Sequence, residues 1–192
     1  MSYDPCRVFE KLARNNRLAN FRLHASCLRL SHHEFTAPRT SFFPTIRATL
    51  NHIYLVDLFY IDALQGGTIG YAAFKEDEAF EDMASLRDAQ AQMDERLIAL
   101  VDRLTAVELA QTVFVQRGER VQKDRCDDIL THLFQHQTHH RGQVHSMLSG
   151  TGVRPPQLDE FVVGDDAGVR QTELEALGWT EADLMNRESM HD

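Results

Sequence analysis

Apolar residues recur three and four positions apart over four long stretches of the chain, the spacing of amphipathic helices. The first stretch runs from about Asp4 to Leu30, with Asp4 as N-cap and Pro5 at the first helical position. Phe9, Leu12, Ala13, Asn16, Ala19, Asn20, Leu23 and Cys27 share one side of it. Two asparagines four apart on a mostly apolar face read as caps for a buried polar group, or as the edge of the stripe. Residues 31–44 break the pattern: Ser31 with Glu34 makes a short capping box, and Pro38 and Pro44 punctuate a loop. The second helix, from about Pro44 to Leu64, is apolar on two faces. Ile46, Leu50, Ile53, Tyr54, Ile61 and Leu64 form one; Ala48, Leu55, Val56 and Phe59 form the other, with His52 among them. A helix apolar all round is buried on both sides, and in a chain this small one side is a candidate dimer interface.

Gly66 and Gly67 end the second helix, and residues 66–84 follow as a loop. The third helix is expected to start at Ser85 as N-cap, with Met93, Leu97, Leu100, Val101 and Leu104 along its stripe. Residues 112–122 then alternate apolar and polar around Arg117 and Gly118, which predicts a small β-hairpin. The fourth helix runs from about Asp124 to Leu148 and is ended by Gly150, Gly152 and the pair Pro155-Pro156. The last stretch, 172–189, fits one or two short helices. The expected architecture is all-α: a four-helix bundle over residues 1–165 with a small hairpin between helices 3 and 4. Residues 166–192 are expected to form a helical tail packed on the same domain.

Composition narrows the function. An apolar fraction of 43% is enough for a real core, and a formal charge of −9 argues against nucleic-acid binding and against docking on an anionic membrane. Cys6, Cys27 and Cys126 are far apart and odd in number, without CxxC spacing, and read as free thiols in a reducing compartment. The first residues lack the apolar core of a signal peptide, and no apolar run approaches the roughly 20 residues of a membrane helix. A cytoplasmic protein is expected.

Candidate chemistry is concentrated in the fourth helix. Five of the ten histidines, at 132, 136, 139, 140 and 145, fall within fourteen residues. At about 100° per residue, Ile129, Leu133, Val144 and Met147 share the face that must meet the core. His140 lies in the middle of that face and His136 close by; His132 and His139 fall at its edge, and His145 well outside. Side chains four apart stack on one face, so the imidazoles of His136 and His140 can converge on one metal ion. Otherwise they are hydrogen-bonded core histidines or a solvated edge. His132 with His136 is a rival pair, disfavoured by the apolar face. A third ligand should come from another helix: His52 on the second is favoured, with His24 on the first as the alternative. His32, His33 and Glu34 lie where they could approach the mouth of such a site, and His191 is expected to be inert.

LNHIYLVDLF around His52, together with QHQTHHRGQV around His136 and His140, resembles the DinB/YfiT-like superfamily. Its members typically carry "NH" on the second helix and "NHxxxHRGQ" on the fourth. Here Gln135 replaces the usual Asn, and His139 stands where an aromatic residue is common. Residues 15–20, NNRLAN, are similar to the family's first-helix "YNxWAN", with Asn15 and Leu18 departing from the two aromatics. RPPQLDEFVV after the fourth helix resembles a Pro-containing tail that folds back. The resemblance, over roughly residues 5–165, implies an up-down four-helix bundle, a metal triad of His52, His136 and His140, and often a homodimer. Zinc or nickel suits imidazole ligands. Relatives use low-molecular-weight thiols, which implies a metal-dependent S-transferase or isomerase acting on a small electrophile. Metal-assisted hydrolysis, a non-catalytic metal-binding or stress-response protein, and a metal-free helical interaction module are the alternatives. No general base stands out among Asp57, Glu34 and His139.

Overall fold

The computed structural model describes residues 4–159 and 163–185. Its four long helices are α1 (Cys6–Cys27), α3 (Ile46–Leu64), α4 (Met83–Val101) and α6 (Cys126–Leu148). Shorter helices are α2 (His32–Thr36), α5 (Ala106–Leu109), α7 (Gln171–Leu177) and α8 (Glu181–Met185). The predicted hairpin is present as antiparallel β1 (Thr112–Arg117) and β2 (Arg120–Arg125), with Arg117 paired to Arg120 across the turn.

Local chemistry explains where these elements begin and end. Pro5 already has helical dihedrals, and Asp4 Oδ1 accepts from the Cys6 amide at 2.9 Å, as an N-cap does. Ser31 and Glu34 form the capping box expected for α2. The start of α4 differs from expectation. The cap is Asp82, whose Oδ1 accepts from the Ser85 amide at 2.8 Å, so Ser85 lies inside the first turn. Asp82 and Ser85 are both good caps, and a three-residue offset leaves the apolar stripe unchanged. At the end of α3, Gly66 takes the left-handed conformation (φ +80°). A side chain on Gly67 would overlap the Asp62 carboxylate. The two glycines therefore have different causes, one conformational and one steric.

The four helices form a ring in which α1 packs on α4 and α6, and α3 packs on the same two. Contacts between side chains give the directions. Arg14 meets Asp102 and Arg17 meets Glu95, so α1 and α4 are antiparallel. Asp57 meets Gln90 and Gln65 meets Arg96, so α3 and α4 are parallel. His52 meets His136 and the Tyr60 ring meets His132, so α3 and α6 are antiparallel. The all-α bundle thus runs up, down, down, up, rather than in the simple up-down alternation that the resemblance implied. Parallel neighbours need a return along the bundle length, which the segment between α3 and α4 supplies. Asn51 pins it, exchanging hydrogen bonds with the Phe80 backbone at 2.8 and 3.0 Å.

The second apolar face of α3 is covered within the chain: Leu55, Val56 and Phe59 are all buried. Apolar packing is divided between two main clusters. One contains Ala13, Phe59, Leu97 and Leu133. The other contains Leu23, Leu50, Leu86 and Val144. Between the centres of the two clusters, with members on every long helix, lies a buried polar layer: Asn16 and Asn20, Asp57, Gln90 and Asp94, Gln137 and Arg141. A third cluster docks the tail, with Leu174 and Leu184 against Leu18 and Ala19. Among the described residues no helix is long and apolar enough to cross a membrane.

Candidate metal centre

Helix α6 presents His136 and His140 one turn apart, and antiparallel α3 brings His52 opposite them. One ring nitrogen of each lies within 4.8 Å of the others, and among the described residues these three form the group that could hold an ion. His52 Nε2 and His136 Nε2 are 2.9 Å apart. His140 is buried, while His52 and His136 are half-buried, so the group lies at the rim of the core rather than sealed in it.

Burial depresses all three imidazoles. His52 is pushed down to about 4, mainly by desolvation and further by His140. His136 is pushed down to about 3 by desolvation and then by His140 and His52. His140 is also lowered by desolvation, against the opposing effect of its hydrogen bond to Gln143. At neutral pH each ring is therefore uncharged and keeps a lone pair. Two such nitrogens 2.9 Å apart must share either a proton or a cation. The donor set fits a divalent ion with a preference for imidazole.

The surroundings hold the rings in place. His140 Nδ1 donates to Gln143 Oε1 at 2.7 Å, which leaves Nε2 as the nitrogen with a lone pair. The amide of Gln143 reaches His139 Nε2 at 3.2 Å. His136 Nδ1 is buried without a hydrogen-bond partner among the described residues, so its tautomer is set at the other nitrogen. Phe43, from the loop before α3, stacks on His52 with centroids 4.2 Å apart and approaches His140 at 5.6 Å. Its neighbour Phe42 is 82% exposed.

One layer deeper, Gln137 Nε2 donates to Asp57 Oδ1 at 2.9 Å, and Gln90 Nε2 donates to Asp57 Oδ2 at 2.7 Å. Asp94 accepts from Gln90, Asn16 and Asn20 at 2.9 to 3.1 Å. The side-chain oxygens of both asparagines accept from Arg141. The chain Arg141–Asn16/Asn20–Asp94–Gln90–Asp57–Gln137 thus ties all four long helices together. Desolvation raises Asp57 to about 7; it raises Asp94 to about 8, with repulsion from Asp57 adding to it. Burial lowers Arg141 to about 10, against the pull of Asp94 and Asp57.

Other candidates fall elsewhere. His24 is buried in α1, away from the triad, and desolvation lowers it to about 3. His132 and His139 are exposed at the edge, as the helical face predicts. His145 Nε2 donates to the Pro156 carbonyl at 3.0 Å, holding the returning tail. His32 and His33 are exposed in α2, Glu34 is used in its cap, and Asp57 is enclosed in the polar layer. His191 lies outside the described residues. Sequence reasoning gave no role to Phe43 or Gln143, and of the polar layer it reached only Asn16 and Asn20, as caps for a buried polar group. The signals were the spacing of Gln143 three residues after His140, and Asn16 and Asn20 on an apolar face.

The sequence profile described as DinB family matches residues 3–173. Protein DinB of Bacillus subtilis (strain 168) is 27% identical over 125 residues, covering 62% of this chain and 72% of that protein.

Proposed function

Since the chain belongs to the DinB family, we propose that it is a metal-dependent enzyme in which His52, His136 and His140 hold one zinc or nickel ion. It uses a low-molecular-weight thiol to transfer to, or isomerise, a small electrophilic substrate. The observation that carries the reading is the convergence of three neutral imidazoles from two helices at the rim of the core. A divalent ion held by three neutral ligands keeps a position open and lowers the pKa of a thiol or water that reaches it.

The chain's own residues supply the rest. Gln143 fixes the His140 tautomer, Phe43 shields one side of the cluster from water, and the Asp57–Gln137 bond sets the register that places His52 opposite His136. Thiol chemistry is favoured over hydrolysis by the family resemblance. A net charge of −9 supports an enzyme without nucleic-acid or membrane partners. A homodimer in the cytoplasm completes the proposal, and sedimentation of the purified chain checks the assembly.

The decisive test is metal content by mass spectrometry of tag-free, natively purified protein. The expected result is about one zinc or nickel ion per chain, lost in His136→Ala and in His52→Ala, and retained in His145→Ala and His24→Ala. A wild-type protein that takes up neither metal on incubation overturns the proposal. Loss of metal from His145→Ala equal to that from His136→Ala overturns the assignment of the ligands.

A further inference from the structure

Apart from the histidine centre, we propose that a cationic cavity between α1, the 154–157 segment and α7 binds a small organic anion through a phosphate or carboxylate group. The cavity is about 510 Å³, within the range of small-molecule sites, and none of its lining residues belongs to the histidine group. Arg22, Arg29 and Arg154 line it. Arg22 is 7% exposed and is paired with Glu173 at 3.0 Å, so its charge is balanced. Arg29 and Arg154 are different. Among the described residues neither makes an ion pair or a side-chain hydrogen bond, in a chain with 29 acidic and 20 basic residues.

One unpaired surface arginine is a solvated cation and needs no explanation. Two on the wall of one cavity leave an uncompensated positive field in a protein that is otherwise acidic. Arg29 follows the C-terminal end of α1, where the helix dipole favours a cation, but no such term acts on Arg154. The Arg154 side chain is exposed, but its backbone sits in a restrained segment. Pro155 and Pro156 follow it and restrict the backbone. The Pro156 carbonyl accepts from His145 at 3.0 Å, and the Gln157 carbonyl accepts from Arg22 at 3.1 Å. A guanidinium on a restrained backbone loses less freedom when it closes on an oxyanion. Phe21 and Pro155 give the cavity an apolar wall, which suits an organic body behind the anionic group.

The test is calorimetric titration of the full chain at low salt with phenyl phosphate and with phenylacetate, using benzyl alcohol as the uncharged control. At least one anion should bind and the alcohol should not; which anion binds tells a phosphate site from a carboxylate site. Arg29→Gln with Arg154→Gln should weaken binding at least about tenfold, since charge-assisted hydrogen bonds are lost. Arg7 and Arg120, which are also exposed and make no ion pair or side-chain hydrogen bond among the described residues, both changed to Gln, are the control for net charge and should leave affinity unchanged. His52→Ala should also leave it unchanged, which separates this cavity from the histidine centre. The inference is overturned if neither anion binds, if benzyl alcohol binds as well as they do, if the two double variants weaken binding equally, or if His52→Ala abolishes it.

Discussion

His140 keeps its lone pair at Nε2 because Nδ1 holds the proton and donates it in a hydrogen bond to Gln143, one turn further on. Removing that acceptor frees the tautomer and the ring. Gln143→Ala should therefore weaken metal binding by about 10- to 100-fold in a chelator competition, with the fold intact. His24 shows the opposite use of the same residue type. It is a neutral histidine in the core, with Arg17, Arg141 and Arg87 adding to the cost of charging it. Its folded pKa, about 3, lies below its unfolded value of about 6.5, so the unfolded chain binds the extra proton. Its contribution is present above the unfolded pKa and is lost as pH falls from about 6.5 towards 3. Going from pH 7 to pH 5 should cost about 2 kcal/mol through this group alone. Urea unfolding at the two values should show that part of the loss missing in His24→Leu. Both histidines were visible as candidates in the sequence. Only packing separates them, because burial and the facing groups, not the residue type, set the role.

Helix boundaries and faces followed from spacing. Ile129, Leu133, Val144 and Met147 are buried on α6, and His132, His139 and His145 lie off the core-facing stripe, as a 100° step requires. The start of α4 is the instructive exception. Asp82→Ala should lower Tm by a few degrees, through loss of the acceptor for the Ser85 amide, and Ser85→Ala by less. Scanning calorimetry of the two variants decides which residue is the cap. The two-faced pattern of α3 was equally legible, but its cause was not. A helix whose second face is covered by its own chain has the same sequence pattern as one covered by a partner.

Across the whole molecule the polar layer divides the apolar core at the level of the histidines. Asp94 is its hub, accepting from three side chains on two helices while fully buried. Asp94→Ala should destabilise the fold by about 3–5 kcal/mol, because Asn16, Asn20 and Gln90 all lose their buried acceptor. Urea unfolding checks it; a loss no larger than that of an exposed substitution would mean that water replaces the carboxylate.

The sequence by itself determined the helices, the hairpin, the inward pair His136 and His140, and the preference for His52. Each depends on the periodicity of the backbone or on a local motif, and these survive without knowledge of neighbours. Tertiary structure decided the up-down-down-up order, the withdrawal of Asp57 into a polar layer, and the place of Phe43 over His52. It also put Arg29 and Arg154 on one cavity. Except for Phe43 over His52, these bring together residues tens to more than a hundred positions apart. They depend on which helix faces which and in what direction, and four similar amphipathic stripes leave that open until the chain packs.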